Sequence, residues 1–153
     1  MIIKKGHLLN VKESDIVHDT IILPPEVLYI EWRVFQDLPI THILLPQNVK
    51  SVHAQAFFHC TKLTSIIFAN PNCILSDATF DLCQSLESII LPRDLKVLPI
   101  YTFRDCKQLK EIIIPDSVRE LTLEQFLNCE KLQKIQWRDH VYSYTDLQTY
   151  RRF

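Results

Sequence analysis

One spacing constrains this chain more than any other feature: Cys60, Cys83, Cys106 and Cys129 fall 23 residues apart. Phe57, Phe80, Phe103 and Phe126 keep the same step, as do Leu63, Leu86, Leu109, Leu132 and Ile66, Ile89, Ile112, Ile135. Two further columns run Val49, Asn72, Leu95, Val118 and Val52, Leu75, Leu98, Leu121. A period of this size marks a stacked repeat, because so short a unit cannot bury its own apolar edge and must bury it against its neighbours. An earlier copy, one residue shorter, begins at Leu23-Pro24 and carries Val27, Ile30, Phe35, Ile43 and Leu45, with Leu38 at the cysteine position.

Each part of the unit has a physical reading. Ile66 and Phe68 lie two apart, the alternation of a short strand with one buried face, and their copies repeat it. Pro46, Pro92 and Pro115 follow that strand and end it, since proline has no N–H for the ladder. The steps of three from Phe57 to Cys60 to Leu63 suit a helical or 3₁₀ turn on the opposite side. One coil is therefore strand, turn, second short extended piece and helical turn, and stacking sets the strands side by side as a parallel sheet.

The unit Leu/Ile-Pro-x-x-Val-x-x-Ile/Leu, four residues, Phe-x-x-Cys-x-x-Leu-x-x-Ile-x-Leu resembles the BspA-like leucine-rich repeat, over roughly residues 16–138. Val52-His53-Ala54-Gln55-Ala56-Phe57-Phe58-His59-Cys60 matches it best. The family's usual glycine is replaced by His53, Ser76, Pro99 and Thr122, which leads to the expectation of an altered turn in each copy. The resemblance implies an α/β repeat solenoid, a right-handed coil with a parallel sheet on its concave face and short helical or 3₁₀ turns opposite. It also implies a protein-interaction module of the kind found on bacterial surfaces, in protists and among bacterial effectors, and no enzymatic activity.

A single repeat domain is expected over residues 1–153, with an N-terminal cap over 1–15, repeats over 16–138 and a C-terminal cap over 139–153. Ile2-Ile3 and Leu8-Leu9 flank Lys4-Lys5-Gly6-His7, where the only glycine of the chain suits a hairpin turn. At the other end Trp137 continues the column of Phe68, Leu91 and Ile114, and residues 145–153 read as a short capping helix. Caps at both ends favour a complete small protein, monomeric on its own.

Charge and motif content narrow the function. Seventeen Lys and Arg against eighteen Asp and Glu give a net charge of −1, with no general attraction to nucleic acid or anionic membrane. The apolar runs are strand-sized and too short for a bilayer. No secretory signal pattern is present at the N-terminus, and five cysteines with no Asn-x-Ser/Thr sequon lean toward a reducing compartment. The expected location is the cytoplasm, or a host cell entered without a classical signal peptide.

A row of cysteines one repeat apart runs up the stack and cannot converge on one metal ion, so the column reads as buried thiols, not as a Cys₄ zinc site. Cys73 stands outside it in Asn70-Pro71-Asn72-Cys73 and reads as a chance thiol in a loop. The six histidines form no His-Glu-x-x-His pair, and one glycine cannot build a phosphate loop. No catalytic residue, metal or cofactor is expected.

The candidate site is what the strands show to solvent. The middle residue of each strand points away from the core, and its column reads Ile22, Leu44, Ile67, Ile90, Ile113, then Gln136. Beside it runs a polar column, Thr20, His42, Ser65, Ser88, Glu111, Lys134. Five aliphatics at the ~4.8 Å strand spacing make a stripe of roughly 19 Å. Such a row either stabilises the ladder through cross-strand pairs or, as an apolar patch with a polar rim, receives a protein. The protein-binding set is accordingly Ile22, Leu44, Ile67, Ile90 and Ile113 with His42, Ser65, Ser88 and Glu111. The leading expectation is an adaptor or inhibitor gripping one protein partner; the alternative is a fragment of a bacterial surface adhesin binding host proteins.

Overall fold

A computed structural model describes all 153 residues. The chain opens with a hairpin of β1 (Ile2–Lys4) and β2 (His7–Asn10), turned by Lys5 and Gly6 at φ 50° and 82°. A Cβ on Gly6 would lie 3.0 Å from Leu28, so both the left-handed backbone and the close approach require glycine there. β2 then pairs in parallel with β3 (Tyr29–Ile30), placing the hairpin on the edge of the repeat array.

From there the chain alternates between two faces. One carries β4 (His42–Leu45), the next β5 (Ser51–Val52), then β6 (Ser65–Phe68) and β7 (Ile74–Leu75), followed by β8 (Ser88–Ile90). β9 (Glu111–Ile114) and β10 (Lys134–Trp137) continue the first face, and β11 (His140–Tyr142) folds back antiparallel on β10. Residue 65 pairs with 42, 88 with 65 and 134 with 111, so the ladder register equals the sequence period. The second extended pieces β3, β5 and β7 make their own sheet with the hairpin, in the order β1-β2-β3-β5-β7, and the later coils add no strand to it.

The core is fed by one residue from each column. Phe35, Phe57, Phe80, Phe103 and Phe126 are fully buried and stacked, with ring centroids 4.6, 5.4, 5.7 and 5.6 Å apart. Each column cysteine is free, and its thiol donates to the carbonyl of the phenylalanine one coil earlier: Cys60 to Phe35 at 2.9 Å, Cys83 to Phe57 at 3.1 Å, Cys106 to Phe80 at 3.3 Å and Cys129 to Phe103 at 2.9 Å. The thiol thus fills a small site and satisfies a buried carbonyl together.

Opposite the strands the coils are tight turns; only Leu123–Phe126 closes into a regular 3₁₀ helix there. The turns are made by two residues in the left-handed region in every coil but the last, which has only Asn128. One column is Arg33, Gln55, Ala78 and Tyr101, and the other is Asp37, His59, Leu82, Asp105 and Asn128. None of His53, Ser76, Pro99 and Thr122 has a positive φ, so the missing family glycine leaves no strain at its own position.

The sequence columns need one correction. Asn72 is exposed, and Cys73 takes the core site that Val49 fills one coil earlier. The turn there closes from Cys73 N to Asn70 O, one residue later than the Val49 N to Pro46 O turn, and the register is recovered at Leu75 opposite Val52. Cys73 is therefore a core residue and not a loop thiol.

The C-terminal segment covers the last coil on both faces. Besides β11, helix α1 (Tyr144–Tyr150), capped by Ser143, buries Leu147, and Phe153 exchanges backbone bonds with Leu121 at 2.8 and 3.1 Å.

Candidate protein-interaction face

Strand alternation puts Ile43, Ile66, Ile112 and Ile135 into the core and turns their neighbours outward. The exposed column is as the pattern demands: Ile22 is 78% exposed, Leu44 56%, Ile67 44%, Ile90 61% and Ile113 68%. Leu44, Ile67 and Ile90 sit directly opposite one another across paired strands. Ile22 lies outside any strand, beside the single bridge from Thr20 to His42. Gln136 ends the row opposite Ile113.

The polar column borders the stripe with side chains already engaged. His42 Nδ1 is 2.7 Å from Ser65 Oγ, Thr20 Oγ1 donates to His42 O at 2.8 Å, and Lys134 lies 3.9 Å from Glu111. Ser88 and Glu111 are exposed. Lys62, Gln84 and Lys107 are exposed on the turn side of their coils, away from this face.

Sequence periodicity leads to one continuous sheet, and here the structure differs. β4, β6 and β8 form one three-stranded sheet and β9, β10 and β11 another, with no ladder between β8 and β9. At other steps the first residues bond across coils, as Glu87 N does to Thr64 O and Gln133 N to Lys110 O; Lys110 and Glu111 make no such bond to Glu87. Pro115 also lacks the N–H that Ala69 donates to Leu45 O at an earlier step. Ile89, the core member of β8, is consequently only partly buried. A groove of about 800 Å³ opens along the break, with Ile90 and Ile113 on its walls. The second sheet ends at the same step, leaving a groove of about 750 Å³ between Leu75 and Leu98.

The turn side of that step stays closed. Ala78 N, Phe80 N and Leu82 N donate to Ile100 O, Thr102 O and Arg104 O at 3.0, 3.0 and 2.9 Å. Asp81, fully buried, is clasped by Nε and Nη2 of Arg104, the first at 2.8 Å. The coils are thus fastened at their backs and parted at both faces.

The chemistry of the remaining polar groups is quiet. Burial pushes the thiols of Cys60, Cys73 and Cys129 up to about 12 and those of Cys83 and Cys106 well above the usual thiol range, which removes their nucleophilic character near neutral pH. Glu31 lies between His7 at 2.5 Å and His53 at 3.2 Å, tying the hairpin to the first coils. No group of three or more His, Cys, Asp or Glu side chains is placed to hold a metal ion. No helix is long and apolar enough to cross a membrane.

Coils of short parallel strands and tight turns around stacked Phe and Cys columns, with one sheet face left open, define a leucine-rich-repeat solenoid. The chain belongs to the BspA-type leucine-rich repeat family, whose model matches residues 28–147 in 6 copies. Repeat proteins of this class are typically binding modules without enzymatic activity, either protein-interaction or surface-repeat modules.

Among solved structures the chain is similar to the leucine-rich repeat protein of T. pallidum, with 27% identity and a TM-score of 0.70 over 76% of this chain and 57% of that one. It is also similar to a leucine-rich cell surface protein of Faecalibacterium prausnitzii A2-165, with 25% identity and a TM-score of 0.73 over 88% of this chain and 35% of that one. A leucine-rich repeat protein of Bacteroides ovatus gives 29% identity and a TM-score of 0.67 over 76% and 33%. The chain spans between 33% and 57% of the length of these relatives. No curated protein matches it.

Proposed function

We propose that the chain is an adaptor or inhibitor that binds one protein partner through its concave face. Ile22, Leu44, Ile67, Ile90 and Ile113 supply the desolvated centre, and His42, Ser65, Ser88 and Glu111 the polar margin. The observation that supports this reading is the row of five aliphatics, each at least 44% exposed, on a face that nothing else in the chain covers. A contiguous apolar patch with a polar rim is the usual mark of a protein contact. We place the protein in the cytoplasm or, after delivery, inside a host cell. A second reading, a binding segment of a larger surface protein, is favoured by the likeness to the F. prausnitzii cell surface protein, of which this chain spans 35%.

The test is affinity for a partner captured from the native cell and then purified, measured for Ile67→Lys, Ile90→Lys and Ile113→Lys beside Lys62→Ala, Gln84→Ala and Lys107→Ala. Each isoleucine variant should keep the wild-type circular dichroism and lose ~2 kcal/mol or more of binding, as central interface positions do, while the turn-side variants change little. Unchanged affinity in all three folded isoleucine variants would leave the stripe as ladder packing.

A further inference from the structure

The break between β8 and β9 divides the proposed binding face with a groove whose two ends carry the same charge. Six charged side chains line it, and its two cations are already occupied: Lys134 by Glu111 at 3.9 Å, Arg93 by Asp94 at 4.0 Å. Glu87 and Asp116 have no cationic partner. Glu87 precedes β8 and Asp116 follows β9, so the two carboxylates stand at opposite ends of the strand direction. At ~3.3 Å per residue they are separated by on the order of 17–20 Å. Between them lie the exposed Ile90 and Ile113 and the partly uncovered Ile89. The carbonyl of Glu87 and the N–H groups of Lys110 and Glu111, which the missing ladder leaves without backbone partners, face the same break.

We infer that this groove receives an extended segment of the partner protein with aliphatic side chains at its centre and a lysine or arginine at each end. The inference rests on the proposed function in taking the concave face as the binding face, and it names the part of the partner that the face selects. An extended chain places alternate side chains on one side, so the sequence pattern basic-x-aliphatic-x-aliphatic-x-basic spans the distance between Glu87 and Asp116 with all four side chains turned inward. Its aliphatics cover the exposed part of Ile89 and pack against Ile90 and Ile113 on the groove walls.

The probe is a fluorescently labelled peptide with blocked termini, Lys-Thr-Ile-Thr-Ile-Thr-Lys, titrated with the full chain and followed by anisotropy. The comparison peptide is Glu-Thr-Ile-Thr-Ile-Thr-Glu. The lysine peptide should bind about tenfold more tightly at low salt, the sum expected of two exposed ion pairs, and the advantage should shrink as salt rises. Glu87→Gln with Asp116→Asn, both exposed and therefore harmless to folding, should abolish the preference while leaving circular dichroism unchanged. Lys62→Ala should change nothing.

Equal binding of the two peptides, a preference that survives the double variant, or no binding of the lysine peptide up to about 1 mM would each overturn the inference. The peptide assay requires no identified partner, so it is read separately from the stripe variants. Because Ile90 and Ile113 belong to both the stripe and the groove, partner affinity unaffected by the stripe variants would overturn the inference for that partner even with a selective peptide, whereas stripe-dependent partner affinity without peptide selectivity would overturn the groove and keep the proposed face.

Discussion

Asp81 has no solvent exposure, and both of its carboxylate oxygens are taken by the guanidinium of Arg104 one coil along. Arg104 in turn lies 5.0 Å from the centre of the Tyr101 ring, a cation–π contact that helps fix its direction. At the same position the neighbouring coils carry Phe58 and Leu127, so the pair replaces apolar packing at the one step where both sheets are open.

Arg104→Met should therefore destabilise the chain by on the order of 3 kcal/mol, because it leaves a buried carboxylate without a counter-charge. Asp81→Leu combined with Arg104→Met should recover most of that loss, since an apolar pair of similar volume often equals a buried ion pair. Urea midpoints of the single and double variants check this. A double variant no more stable than Arg104→Met would show that the charges themselves hold the step together.

The buried thiols make stability depend on alkaline pH. In the unfolded chain cysteine titrates near ~8.5, whereas burial pushes Cys60, Cys73 and Cys129 up to about 12 and Cys83 and Cys106 well above the usual thiol range. Between those values the unfolded state releases protons that the folded state retains. The thiol contribution is thus fully present below about pH 8.5 and is lost as pH rises toward 12. Denaturant midpoints should be level below that range and fall above it, and Cys73→Ala should fall less steeply because one buried thiol is gone. Identical slopes in the two proteins would contradict the linkage. In the native state none of the five thiols should react with a thiol reagent near neutral pH, and all five should react in denaturant.

Leu82 is the misfit among the left-handed turn residues. Its column reads Asp37, His59, Leu82, Asp105 and Asn128, with φ between 57° and 62°, and four of the five are residue types that tolerate this region. An ordinary L-residue loses ~1–2 kcal/mol there, and asparagine much less. Leu82→Asn should raise stability by about 0.5–1 kcal/mol, and Leu82→Val should lower it because β-branching worsens the strain. A lower melting temperature for Leu82→Asn would mean that packing of this half-buried side chain outweighs its backbone cost.

Whatever repeats was legible in the sequence. The Phe, Cys, Leu and Ile columns are read by counting, and the exposure of Ile67, Ile90 and Ile113 follows from strand alternation once Ile66 and Phe68 are placed inside. What departs from the period was not. Fixed offsets set Asn72 in the core, whereas a turn one residue later brings Cys73 in; the hydrophobicity of Cys73 beside polar Asn72 was the available signal. The break after β8 leaves the 23-residue step unchanged and has no marker beyond Pro92 and Pro115. Glu87, Arg93, Asp94 and Asp116 were missed with it, since their role as groove lining depends on strands that part. The Asp81–Arg104 pair was findable as opposite charges one period apart within a column otherwise apolar or neutral.

The thiol-to-carbonyl bonds reach from one coil to the next and no farther, across 25 or 26 residues. Each coil therefore offers its successor the same surface it met in its predecessor, a phenylalanine carbonyl and a ring face, with a ladder edge at every step but the one after β8. A tandem duplication or loss of 23 residues between Phe57 and Phe80 would preserve these thiol-to-carbonyl joints, so the stack should accept a change of one whole coil there. The step from Phe80 to Phe103 is not interchangeable in this way. Copying or deleting 23 residues there would leave one member of the Asp81–Arg104 pair without its counter-charge, so a change of one coil at this step carries a cost that the other steps do not.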